Sequence, residues 1–309
     1  MGVASLSTLV TAEEMGQGRF EVSTAESAVL LLVVAVHGIA GVVGLLQLVC
    51  RSTRCRSLLW PVALMAVLCD TTLLGLRAVA IGAVPLTGTC EACVFLAVVL
   101  GVLYLLIGPM IDRVWFGSVM VWISAGLVGM AVALARPAAP AQAVASTPWA
   151  VAHAAVMVLA AAAVMFAAAN STLYLLGSHR LKRKKVMQVL GRIPNMETLG
   201  DMNRVGLLAG FVLLTVGLVS GLGLISTLGM GMASWAADGK VICMLAIWCL
   251  LGVVLVLDRF SMLREKGRAC VTLVAFVLVL FAILGVAVTG VTQHEFSLLL
   301  PSATPLVRV

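Results

Sequence analysis

The chain has 309 residues, 62% of them hydrophobic and 11% charged, with a net charge of +7 and a mean hydropathy of +1.16. Soluble domains carry about a quarter charged residues, so this composition excludes an ordinary soluble globular protein. The basic balance is not a nucleic-acid signature either, because the basic residues lie between apolar runs, where they report topology.

Taken in chain order, residues 1–26 form a short polar arm holding Glu13, Glu14, Glu21 and Glu26. The arm has neither a basic n-region nor an apolar h-region, so no cleavable signal peptide is expected. Apolar runs follow at about 27–50, 57–83, 91–111, 114–135, 148–177, 205–228, 240–258 and 269–291, each long enough to cross a bilayer core. The expected fold is all-α: a polytopic integral membrane protein of about eight transmembrane helices. The membrane domain runs over 27–297 and a tail over 298–309.

The linkers sort by charge. Arg51, Arg54 and Arg56 follow the first span, and Arg113 follows the third. The fifth leads into Arg180, Lys182, Arg183, Lys184, Lys185, Arg192 and Arg204, and the seventh into Arg259, Arg264, Lys266 and Arg268. Fifteen of the twenty basic residues thus share one side. That side is expected to be cytoplasmic, with both termini on the outer (periplasmic) side of a bacterial inner membrane. The loop 179–199 is expected to lie along anionic headgroups, and Gly217 and Gly221 read as a helix-packing GxxxG.

Polar groups in hydrocarbon are costly and so are candidates for function. His153 sits about one turn inside the outer end of the fifth span, and His294 just past the outer end of the eighth. Trp235 and Asp238 occupy the outer loop between the sixth and seventh spans. Two neutral imidazoles across a flat cavity suit the axial positions of a heme iron, with an indole to cover the macrocycle and an arginine to pair with its propionates. From spacing alone, an interfacial His153 and a solvated His294 remain open. Asp70, mid-span, must be protonated or paired, whereas Arg77 can snorkel outward. Asp258 reads as interfacial, and His37 as a satisfied packing residue or a further ligand. Cys90 and Cys93 flank Glu91 in a CxxC at the outer start of the third span, where thiol–disulfide chemistry is an alternative.

Leu76-Arg77 and Gly82-Ala-Val-Pro-Leu-Thr-Gly-Thr-Cys-Glu-Ala-Cys-Val-Phe-Leu-Ala97 are similar to the stretch R…G-x-x-P-L-x-N-x-Y-E-S…F-L-A of the CcsA family of cytochrome c assembly proteins. Pro148-Trp149…His153, with Tyr174 and the basic exit Leu181-Lys-Arg-Lys-Lys185, resembles its histidine-bearing helix. The run Gly210 to Gly217 with Ser220-Gly221 resembles G-F-x-L-L-T-x-G…[ST]-G. Asp238-Gly-Lys240 with Trp248 is similar to D-P-K…W, and Gly285-Val…Gly290…His294 to the closing G-V-N…G…H. The resemblance implies heme handling in cytochrome c maturation. It implies heme b held at the outer face by His153 and His294, with Trp235, Asp238 and Arg77 around it. The partners it implies are a second, ResB-like assembly subunit and apocytochrome c, besides the lipid bilayer and without nucleic acid.

The departures are specific. The family's tryptophan-rich signature is reduced to Ser234-Trp-Ala-Ala-Asp238. Members that synthesise cytochrome c also carry two intramembrane histidines. The first falls at Asp70 and the second within Val256–Asp258, and neither is a histidine here. The joint loss leans toward the HemX-like branch of the superfamily and puts heme transport through the bilayer in doubt. A HemX-type regulatory or assembly protein without heme transport, and an outward-facing thiol oxidoreductase using Cys90 and Cys93, are therefore the rival expectations.

Overall fold

Hydrocarbon offers no water to a backbone amide, so a spanning segment must satisfy its own hydrogen bonds, as an α-helix does. The computed structural model describes residues 24–49, 53–86, 88–108, 114–133, 147–182, 195–228 and 236–285. Among the described residues there are eight long helices and no strand: α1 Thr24–Val49, α2 Thr53–Ile81, α3 Thr89–Ile107, α4 Val114–Ala133, α5 Pro148–Lys182, α6 Met196–Leu228, α7 Gly239–Arg259 and α8 Glu265–Leu280, the last continued by a π-helical turn, Phe281–Gly285. All eight are long and apolar enough to cross a membrane. His294 and Trp235, the arm residues up to 23, the basic loop 183–194 and the tail 298–309 lie outside the described residues.

The helices form two rings of four. In the first, α1 packs on α2 and α4, and α3 packs on the same two; in the second, α5 packs on α6 and α8, and α7 packs on the same two. The rings meet where α5 lies against α3 and α4, with Phe116 and Phe166 edge-to-face, centroids 6.1 Å apart. Large side chains fill each interior, Leu73, Leu96, Leu100 and Met120 in one and Leu173, Leu207, Ile247 and Leu251 in the other. Outward surfaces carry Leu31, Val79, Leu106, Val205 and Val277, all well exposed, as expected of residues meeting lipid tails.

Close approach of α5 and α6 has a definite cause. Lipid tails are as apolar as leucine, so small residues that let backbones touch hold such helices together. A Cβ at Gly206 would stand 3.0 Å from the Ala167 Cβ and 3.1 Å from the Ala163 carbonyl oxygen, and one at Gly210 3.0 Å from Val164. Gly217 and Gly221 continue this seam against Met157 and His153, as their GxxxG spacing suggests.

Two helix ends differ from the hydropathy reading. The α6 helix starts at Met196 rather than near 205, because Glu197, Asp201 and Arg204 end the apolar run without breaking the helix. Glu26, read as part of the polar arm, lies in the first turn of α1 and is buried. The α2–α3 return is made by Gly82, whose φ of +72° closes the last turn of α2 through an N–H donated to the Ala78 carbonyl at 2.9 Å.

Bulk in the α5–α6 seam should be costly. Gly206→Val is expected to destabilise by about 1–3 kcal/mol, read as a lower melting temperature of the purified protein in detergent. Gly38→Val, at a position with nothing within 4 Å, should stay within about 0.5 kcal/mol of the parent.

Candidate functional site

His153 is seated by the glycine seam. Pro148 starts α5, where its missing N–H costs nothing, and Trp149 and His153 follow one turn apart on the face toward α6. The imidazole Nδ1 lies 3.0 Å from the Gly217 carbonyl oxygen and 3.0 Å from the Ser220 Oγ. A carbonyl can only accept, so Nδ1 carries the hydrogen and the ring's lone pair sits on Nε2. Gly221 provides the space: a Cβ there would be 3.0 Å from His153 Cε1. Trp149 lies across Gly223 and donates its indole N–H to the Ser220 carbonyl at 2.9 Å. A backbone carbonyl that fixes one ring nitrogen, and with it the tautomer, is a feature that metal-ligating histidines commonly share.

Arg77 is held elsewhere, in the first ring. Its guanidinium pairs with Glu26 of α1 at 2.8 Å and with Glu91 of α3, and all three residues are within 5% of full burial. Snorkelling is thus replaced by a three-helix ion cluster. Gly88 makes room for it, since a Cβ there would overlap the Glu91 carboxylate. Cys90 and Cys93 are buried beside this cluster as thiols.

Asp238 caps α7, its carboxylate accepting the Lys240 N–H at 2.8 Å. Asp70 and His37 meet inside the first ring, Oδ2 3.5 Å from Nε2. Asp258 belongs to a network at the opposite end of the second ring. There the buried Arg268 donates to Asp258, to Asn203 Oδ1, to the Gly200 carbonyl and to Glu265, each of the last three at 3.1 Å. Arg204 reaches Asp258 at 2.9 Å, and Asn203 donates to Ser171 at 2.8 Å and Thr272 at 3.1 Å. The network ties α5, α6, α7 and α8 together.

Of the residues singled out from sequence, the structure brings Arg77, Glu91 and the two cysteines together in the first ring, and places His153 and Asp238 in the second. Sequence reasoning missed Ser220 and the Gly217 carbonyl as partners of His153, and Glu26 as a partner of Arg77. The one-turn spacing of Trp149 and His153, and the Ser220-Gly221 pair, were the available signals for the first.

The family model described as "Cytochrome C assembly protein" matches residues 86–294, more than half of the chain and the whole stretch from α3 to beyond α8. The chain belongs to the cytochrome c assembly protein family. It is a multi-pass membrane protein with a role in cytochrome c maturation, a process that family members carry out together with other maturation components. Helices α1 and α2, which carry His37, Asp70 and Arg77, precede the matched segment. No curated protein matches the chain.

Removing Arg77 would leave two buried carboxylates without a counter-charge. Arg77→Met should destabilise by about 3–5 kcal/mol, and adding Glu26→Gln and Glu91→Gln should recover most of the loss. Thermal melting of the three proteins in the same detergent checks this.

Proposed function

We propose that this family member binds heme b at the outer face of the membrane, with His153 and His294 as the axial ligands of the iron. The observation that carries the reading is the seat of His153. A ring nitrogen tied to a backbone carbonyl, with the other nitrogen's lone pair fixed by that bond, is the preorganisation an axial imidazole needs. His294 and Trp235 enter through the resemblance, His294 as the opposite ligand and Trp235 as the cover of the macrocycle. Heme would supply an iron centre for presentation to a cytochrome c precursor, while the protein fixes the imidazole's tautomer and angle. Arg77, paired with Glu26 and Glu91, could serve the propionates only by exchanging one of these carboxylates.

The reading does not include passage of heme through the bilayer. Asp258, at or near the second intramembrane position, is engaged by Arg268 and Arg204, and Asp70, at the first, faces His37. Burial of both CxxC thiols counts against a thiol oxidoreductase, since exchange requires an accessible sulfur. The outward placement of the histidines rests on the charge of the linkers. Partners of this reading are a second, ResB-like assembly subunit and an apocytochrome c, in a bacterial inner membrane.

Protein purified from heme-replete cells should show the Soret band of a bis-imidazole heme, and His153→Ala and His294→Ala should each remove most of it. A colourless parent preparation would sink the reading. A reporter fused after Lys185 should score cytoplasmic; an external score would overturn the orientation.

A further inference from the structure

The interior of the first ring holds a polar cluster that heme handling does not use. His37 of α1, Asp70 of α2 and Ser124 of α4 converge near the middle of their helices, and Asp70 is 1% exposed. Beside them is a cavity, also lined by Tyr104 and Gly101 of α3, with about 20 Å³ open to the centre of a water molecule, enough for a single water with polar partners. Neither Asp70 oxygen accepts a hydrogen bond from the described residues. A carboxylate left so in an apolar interior is among the costliest groups a protein can bury.

The state of the cluster follows from one bond. His37 Nδ1 lies 3.0 Å from the Val33 carbonyl oxygen, which can only accept, so Nδ1 carries a hydrogen. The other nitrogen, Nε2, points between Ser124 Oγ at 3.3 Å and Asp70 Oδ2 at 3.5 Å. Were the imidazole neutral and Asp70 ionised, a lone pair would face an anion with no cation in the lining. One further proton removes that conflict. It sits either on the carboxyl, which then donates toward Nε2, or on Nε2, which then donates toward the carboxylate. In both cases the cluster is neutral overall.

We propose that His37, Asp70 and Ser124 form a proton-binding site inside the membrane domain, in which imidazole and carboxylate share a single proton beside a cavity that admits water. The other titratable groups at the site are Cys69, next to Asp70 on α2, and Tyr104 on α3; Ser124 is the polar group from α4, and the described lining contains no lysine or arginine.

The linkage has a definite sign. In the unfolded chain Asp70 is ionised above about pH 4 and the imidazole is neutral above about pH 6.5, so above that point the folded state holds one proton that the unfolded state lacks. Stability should therefore fall as pH rises through the alkaline range. Asp70→Asn, neutral at every pH, should lose that contribution while keeping those of Cys69 and Tyr104.

The test compares parent and Asp70→Asn, purified in the same lipid nanodiscs without added heme, by thermal melting from about pH 6 to about pH 10. The expected result is a gap between their melting temperatures that shifts by about 2–4 °C or more in favour of Asp70→Asn toward alkaline pH. Infrared difference spectra at about neutral pH should show a deuterium-sensitive carboxylic-acid or imidazolium signature in the parent alone. A gap that stays constant with pH, or the absence of both signatures, overturns the proposal. If Asp70→Asn yields no folded protein, His37→Gln takes its place. That variant leaves a lone buried carboxyl, so its gap to the parent should vary between about pH 4 and about pH 7; a constant gap is again fatal. Because no readout involves heme, failure here is distinct from failure of the heme reading.

Discussion

Nothing inside a bilayer completes an unpaired polar group, and the arrangement of this protein follows from that constraint. Most of its buried polar side chains are gathered into a few clusters, built by groups from several helices. Arg268 joins α6, α7 and α8 at one end of the second ring, with Asn203 extending the network to α5. Arg77 joins α1, α2 and α3 in the first ring. His153 is fixed at the α5–α6 seam by a backbone carbonyl and a hydroxyl. Between clusters, glycine and alanine let the helices approach and apolar side chains meet the lipid.

The two rings divide the chemistry. The second carries His153 and the cap of α7, on which the proposed heme reading draws, and it lies wholly within the matched segment. The first carries the buried Glu26, Asp70 and Glu91 with His37, and half of it precedes that segment. It is joined to α5 through the edge-to-face contact of Phe116 and Phe166.

Most of the fold was legible because a spanning helix needs only length and apolarity, both local properties of sequence. The eight runs were visible for that reason, and the early start of α6 was not, since Glu197 and Arg204 end hydropathy but not helicity. Pairings were hidden because they are remote: His153 and Gly217 are 64 positions apart, and no local pattern links them. Arg77 illustrates a different failure. Alone, an arginine near a helix end should extend to water, but two carboxylates from neighbouring helices made burial the better solution. Asp70 was expected to be protonated or paired, and the structure sets it 3.5 Å from Nε2 of His37, a residue that local context had made look self-sufficient.

The Arg77 cluster also bears on how the chain enters the membrane during synthesis. Glu26 and Arg77 stand on the first two helices, and Glu91 on the third. An arginine or an acidic residue carried into the bilayer alone meets a barrier of about 2.5–3.5 kcal/mol at the helix centre by insertion measurements, less near the ends. If α1 and α2 leave the translocon as a hairpin, their two charges travel as a neutral pair, and α3 then brings the second carboxylate to an arginine already in place. The order of charges along the chain is thus an order in which no helix has to be delivered with its charge unanswered for long.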